Sequence, residues 1–241
     1  MYKLSLAHIY PNLLNFYGDA GNILALKKRC EWRGIDIDII EINEADDINT
    51  DCDIYYLGGA TSEQQEIALK YLNKQKNILK NAAQKGAVIL AISESLQILG
   101  KYYQYKTSKK LEGLGILDIY SIESEKRFVG NVTAECNFLS PKEIIGFENH
   151  SMQTFLKDNS LAFSNILIGK GNNGEDKTEG IRQNNVFGTY LHGAFLPKNP
   201  HFTDYLIKIA LQRKYGNDIK LKVLDDEIEL NTYKKLVGKK Y

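Results

Sequence analysis

Residues 87–92, Ala-Val-Ile-Leu-Ala-Ile, form an unbroken apolar run that stops at Ser93. The run is far too short to span a bilayer, which takes about 20 apolar residues. It also lacks the apolar–polar alternation of a strand with one wet face. An uninterrupted run of this length is the mark of a strand buried on both faces, at the centre of a parallel sheet covered by helices. The residues after Ser93 read as a helix, so the chain turns sharply at that position.

The flanking pattern agrees. Residues 3–9 read as a strand, and 21–33 as a helix with Ile23, Leu26 and Cys30 on one face and Gly34 as its stop. Residues 35–42 alternate apolar and acidic side chains, as a strand near a sheet edge would. A short strand at 53–57 runs into Gly58-Gly59. Residues 62–85 read as one or two helices, with Ser62 and Gln65 matching a capping box. The second half is richer in strands, at 114–120, 129–136, 143–148, 161–168 and 186–190. Helices return at 202–215 and 225–237. Strand–helix alternation around a buried central strand predicts an α/β fold, an open, mostly parallel sheet flanked by helices. Sites in such sheets lie at the C-terminal ends of the strands, which points to Gly58-Gly59, to Ser93 and to the segment after Tyr190.

Composition narrows the function classes. The 31 basic and 30 acidic residues leave a net charge of +1, which gives no electrostatic reason to expect nucleic acid or an anionic membrane as partner. The N-terminus has no apolar core long enough for a signal peptide. Cys30, Cys52 and Cys136 are odd in number and form no Cys-x-x-Cys pair, which suggests buried, reduced thiols in a cytoplasmic protein. With no internal repeat and no linker-like tract, the 241 residues read as a single domain.

Three segments carry chemistry when taken together. Gly58 and Gly59 end a strand and let backbone N–H groups approach a ligand closely. Ser93 occupies a nucleophile-elbow position. His192, in Gly188-Thr189-Tyr190-Leu191-His192-Gly193, stands just past a strand where a general base can meet the elbow. Each alone has an ordinary structural reading as a tight turn or a packed histidine.

The chain resembles the cobyric-acid-synthase-like branch of class I glutamine amidotransferases, and within it the GatD-type glutaminase subunits of lipid II isoglutaminyl synthases. The likeness runs over nearly the whole chain. It rests on Tyr17-Gly18-Asp19-Ala20-Gly21-Asn22, Leu111-Glu112-Gly113-Leu114-Gly115-Ile116-Leu117-Asp118, Gly146-Phe147-Glu148-Asn149-His150, the 169–177 loop and the His192 segment. The resemblance implies a flavodoxin-like domain over 1–241 with C-terminal helices at 200–238 packed on it. It implies cysteine attack on the side-chain amide of glutamine, no metal or cofactor, and delivery of ammonia to an ATP-dependent, Mur-ligase-like synthetase in cytoplasmic steps of peptidoglycan synthesis. His192 matches the family's histidine. Gly58 and Gly59 match the loop that, with the N–H of the residue after the nucleophile, holds the oxyanion.

Against that pattern the elbow has changed. Where the family reads approximately Cys-Gly-Gly-Tyr-Gln, this chain reads Ser93-Glu94-Ser95-Leu96-Gln97. A hydroxyl is far harder to ionise than a thiol of pKa about 8.5. Glu94 stands where an oxyanion-hole N–H is needed. Facing the pocket, its carboxylate would repel developing negative charge by roughly 4 kcal/mol at about 4 Å and an effective dielectric of 20. After Glu148-Asn149-His150, a substrate-facing turn on this reading, the family's Gly-Gly-Arg becomes Ser151-Met152-Gln153, so Gln153 replaces an arginine suited to a substrate carboxylate. Ala60 replaces a third glycine; Ala194, where many other class I enzymes carry a glutamate, is usual for this branch. Three readings are open: a scaffold or regulatory subunit that does not hydrolyse glutamine; a hydrolase using Ser93 and His192, or completed by a partner; and a protein that binds glutamine or another small molecule in the old pocket.

Overall fold

The computed structural model describes residues 1–16, 19–48, 51–106 and 110–237. The apolar run becomes strand β4 (Val88–Ile92), buried at all five positions. It pairs in parallel with β3 (Ile54–Leu57) on one side and β12 (Val186–Thr189) on the other. Beyond β3 come β1 (Lys3–Ile9) and, at the edge, the acid-alternating β2 (Asp36–Ile42), both parallel. The opposite edge is β11 (Ile181–Gln183), antiparallel to β12.

Side-chain alternation on these strands builds two cores. Ile89 and Ala91 join Tyr55 and Leu57 beneath α2 (Ser62–Lys74) and α3 (Lys76–Gln84), where Ala68, Leu72 and Leu79 are buried. Val88, Leu90 and Ile92 face the other way, onto Ile23 and Leu26 of α1 (Ala20–Glu31) and Phe202 and Leu206 of α6 (Pro200–Tyr215). Each such side chain contributes about 1.5–3 kcal/mol on burial. Arg29 of α1, almost fully buried, clamps Asp204 of α6 at 2.5 and 2.7 Å and Asp226, just before α7 (Glu227–Leu236), at 2.7 Å. The clamp holds the C-terminal helices to the sheet; Gly238, the end of the expected helical span, lies outside the described residues. No described helix is long and apolar enough to cross a membrane.

The second half adds a sheet of its own. Its long hairpin is β7 (Ile119–Glu135) and β8 (Glu143–Leu156); β7 also pairs near its end with β9 (Ser164–Ile168), which carries β10 (Thr178–Glu179), and near its start with β5 (Tyr102–Gln104), which carries β6 (Leu111–Glu112). Most of its pairings are antiparallel. Three local expectations shift. The strand expected at 114–120 starts at Ile119, because the N–H groups of residues 114–117 bond to the carbonyls of Ile98, Leu99 and Gly100. The Glu148-Asn149-His150 segment is the middle of β8, not a turn. The capping box uses Thr61 and Gln64, because Gln65 is committed elsewhere: its amide donates to the Glu94 carbonyl and to Gln97 Oε1, and its own oxygen accepts from Tyr105.

Candidate functional site

Between β4 and α4 (Glu94–Leu99), Ser93 has φ +54° and ψ −115°. This is a sparsely populated region for a residue with a side chain, and holding it costs about 1–3 kcal/mol. The turn is fixed by its surroundings: the Ser93 N–H donates to Thr189 O at the end of β12, 2.8 Å away, and Ser95 Oγ donates to Gly58 O at 2.6 Å. A Cβ on Gly58 would sit 2.1 Å from the Leu14 carbonyl oxygen, so that position accepts glycine alone without rearrangement.

The glycine loop faces the elbow. A Cβ built on Gly59 would lie 3.1 Å from Asp19 Oδ2, 3.5 Å from Ser93 Cβ and 3.6 Å from Glu94 Oε2, so these three side chains converge on one point. The Gly59 N–H donates to Asp19 Oδ2 at 2.6 Å and the Ala60 N–H to Glu94 Oε2 at 3.1 Å. Burial pushes the Asp19 carboxyl up to about 7, the charge of Glu94 adds to this, and the Gly59 N–H opposes it. Burial raises Glu94 as well, against hydrogen bonds from the Ala60 N–H, from its own N–H and from Ser93, and the charge of Arg127.

His192 follows β12 at the same sheet edge. Its N–H donates to Phe147 O at 3.0 Å and its ring meets Phe147 edge-on. Burial lowers the imidazole to about 4, helped by Lys198 and Arg127, so it is neutral at pH 7. Ser93 and His192 are each 2% exposed. Neither lines the cleft of about 210 Å³ that opens beside the elbow; Ala60, Glu94, Tyr105, Arg127, Asn149 and Met152 do.

The other expected site residues divide. Asn149 reaches the cleft and accepts from Arg127 Nε at 2.7 Å. His150 also borders it, but its ring is stacked on Tyr190 at 3.7 Å and its Nδ1 meets Met152 O at 2.6 Å, a packed and structural placement. Gln153 lies outside the lining, paired with Ile122 in the hairpin. The guanidinium at the cleft is Arg127. It sits in the register shift between Glu123 and Phe128, and a β-bulge re-aims side chains in this way. Sequence reasoning missed it; the one signal was the charged stretch Glu125-Lys126-Arg127 breaking an otherwise strand-like pattern. Asp19 stood in a family motif without a role, and its neighbours Tyr17 and Gly18 lie outside the described residues.

The 169–177 loop spends its polarity on itself. Asn173 accepts from the N–H groups of Glu175 and Asp176, Asn172 closes onto Thr178 and Gly180, and Asp176 accepts from Thr178. Glu148 accepts from the N–H groups of Lys170 and Gly171, both at 2.8 Å. Cys30, Cys52 and Cys136 are buried and unpaired, and none stands at the elbow.

Residues 5–200 match the CobB/CobQ-like glutamine amidotransferase domain. The chain belongs to that family. It is 40% identical over 240 residues, 99% of this chain and 97% of the relative, to the lipid II isoglutaminyl synthase (glutamine-hydrolyzing) subunit GatD of Staphylococcus aureus (strain N315). It is 38% identical over 228 residues to the subunit of the same name from Streptococcus pneumoniae (strain ATCC BAA-255 / R6), covering 93% of this chain and 87% of that one. Among solved structures, PurLQS from Thermotoga maritima superposes with a TM-score of 0.55 at 19% identity, covering 80% of this chain and 88% of that one, a likeness of fold. The elbow, the glycine loop and His192 thus form the candidate site of an amidotransferase domain whose reactive edge is crowded by carboxylates.

Proposed function

We propose that this chain is the GatD-like amidotransferase subunit of a cell-wall amidating complex of the lipid II isoglutaminyl synthase type. In isolation it does not hydrolyse glutamine, and it serves its complex as a scaffold or regulatory subunit. The subunit reading is supported by the likeness to GatD proteins along nearly their full length. The observation that carries the loss of hydrolysis is Ser93: the elbow keeps the backbone geometry of a nucleophile turn but presents a hydroxyl. A serine hydroxyl is far harder to ionise than a thiol and needs a well-built base and orienter to be activated. The partner on this reading is an ATP-dependent, Mur-ligase-like synthetase that activates a carboxyl group and accepts free ammonia, and the complex works in the cytoplasm.

Two assays test it. Purified full chain should release no detectable ammonia from glutamine; release that disappears in His192→Ala would overturn the loss of hydrolysis and favour the Ser93–His192 hydrolase. Co-expressed with a Mur-ligase-like synthetase from the same source, the chain should co-elute with it on size exclusion and the pair should amidate from ammonium. Failure to co-elute ends the subunit reading, and amidation from glutamine but not from ammonium shows the site at work.

A further inference from the structure

An oxyanion hole works through donors held about 2.7–3.1 Å from the place where charge develops. In this fold the two natural donors are an N–H of the glycine loop and the N–H of the residue after the elbow, here Glu94. The loop donor is already engaged, by the side chain of the residue that should carry the other. The Ala60 N–H donates to Glu94 Oε2 at 3.1 Å. Glu94 Oε2 and Ser93 Cβ also converge on Gly59, 3.6 and 3.5 Å from where a Cβ would sit. The preceding loop donor, Gly59 N–H, is held by Asp19 at 2.6 Å. A carboxylate oxygen bonded by the loop and held beside Ser93 occupies the ground that a tetrahedral intermediate's oxyanion would need.

We propose that the Glu94 carboxylate is a built-in occupant of the oxyanion site, so that position 94 closes this pocket to amide hydrolysis independently of the serine at position 93. The inference deepens the function proposed above and rests on its reading of the pocket as a former glutaminase site. Glutamine hydrolysis by a thiol at the elbow makes the requirement explicit. The thiolate forms a bond to the side-chain carbonyl carbon, and the carbonyl π pair moves onto oxygen. Collapse of the intermediate breaks the C–N bond, nitrogen leaves as ammonia after taking a proton, and water then cleaves the thioester to glutamate. The second event, charge on oxygen, finds the loop donors taken and meets a carboxylate instead. Restoring the thiol alone therefore leaves the reaction blocked.

The test compares Ser93→Cys with Ser93→Cys/Glu94→Gly and Ser93→Cys/Glu94→Gln in the full chain, assayed for ammonia release from glutamine. Loss of even one oxyanion donor costs about 10²–10³ in rate. The glycine double variant should accordingly exceed Ser93→Cys by about 10²-fold or more, with the glutamine double variant between them because it keeps the shape and removes the charge. Rates for Ser93→Cys within about threefold of the glycine double variant would overturn the proposal. If no variant releases ammonia, the failure is that of the former-glutaminase reading, and the contact is then decided directly by the Ala60 amide in a ¹H–¹⁵N spectrum. A resonance that titrates with Glu94 and moves in Glu94→Gln supports occupancy of the hole. A resonance indifferent to both overturns it.

Discussion

Two glutamates in this molecule do the same thing in different company. Glu148 on β8 takes the N–H groups of Lys170 and Gly171, and Glu94 on α4 takes that of Ala60. Around Glu148 the contacts are structural: the loop it ties down is also stitched by Asn172, Asn173 and Asp176, and the residue is 2% exposed. Around Glu94 the network is open. The side chain borders a cleft, lies beside a residue with left-handed φ, and adds its charge to a second buried carboxyl, Asp19. The first arrangement holds a loop in place. The second holds a site shut while leaving the surrounding fold little dependent on it. Identical hydrogen-bond chemistry is structural or functional according to what else could take its place: at Glu148 nothing, at Glu94 water or a ligand.

The largest effect should separate the two glutamates by stability. Glu148→Ala strands two N–H donors away from water and should cost about 2–5 kcal/mol, whereas Glu94→Ala exposes its donor to the cleft and should cost under about 1 kcal/mol. Urea denaturation of the two variants measures this, and equal costs would break the comparison. Next in size is a pH effect from Asp19. Because its carboxyl is held up to about 7, the folded chain keeps a proton that the unfolded chain has released near pH 4. Its stabilisation is therefore complete below about pH 4 and is lost as pH rises towards 7, by roughly 2–4 kcal/mol. Glu179, buried and held up to about 8, contributes in the same direction over a window reaching higher pH. His150 and His192, both lowered to about 4, act oppositely and lose stability as pH falls from about 6.5. Denaturation across pH 4–8 should show Asp19→Asn with a shallower falling limb, the part due to Glu179 and the rise due to the histidines remaining; an unchanged curve would mean that Asp19 ionises normally.

A smaller gain is expected at the elbow itself. Ser93→Gly relieves the positive φ and should raise stability by about 1–2 kcal/mol, a sign opposite to that of most substitutions at a buried position. A loss on denaturation would show that the turn is not strained. The smallest effect belongs to Gln153→Ala, which should leave both stability and the Ala60 amide resonance unchanged, within about 0.5 kcal/mol. Arg127→Ala should move that resonance, because Arg127 borders the cleft and its charge acts on Glu94. A shift from Gln153→Ala instead would bring the Gln153 side chain to the cleft after all.

Much of this architecture was legible along the chain. The buried run at 87–92 announced the central strand, the acid alternation at 35–42 the edge strand, and the break at Ser93 the elbow, because burial on two faces, one face or none leaves a local period in the sequence. The capping box was misplaced by one residue for a physical reason: Thr61…Gln64 and Ser62…Gln65 both fit the spacing, and only the buried partners of Gln65 distinguish them. The sequence also determined that position 93 carries a hydroxyl and position 94 a carboxylate. It did not contain the meeting of that carboxylate with the Ala60 N–H, the convergence of Asp19 on Gly59, or the arrival of Arg127 at the cleft where Gln153 was expected. Those groups come from the N-cap of α1, the β3–α2 loop, α4 and a bulge in a second sheet. They are dozens of residues apart, and no local period records them. Strand order and register bring them together, so the tertiary structure alone decided which atoms fill the oxyanion site.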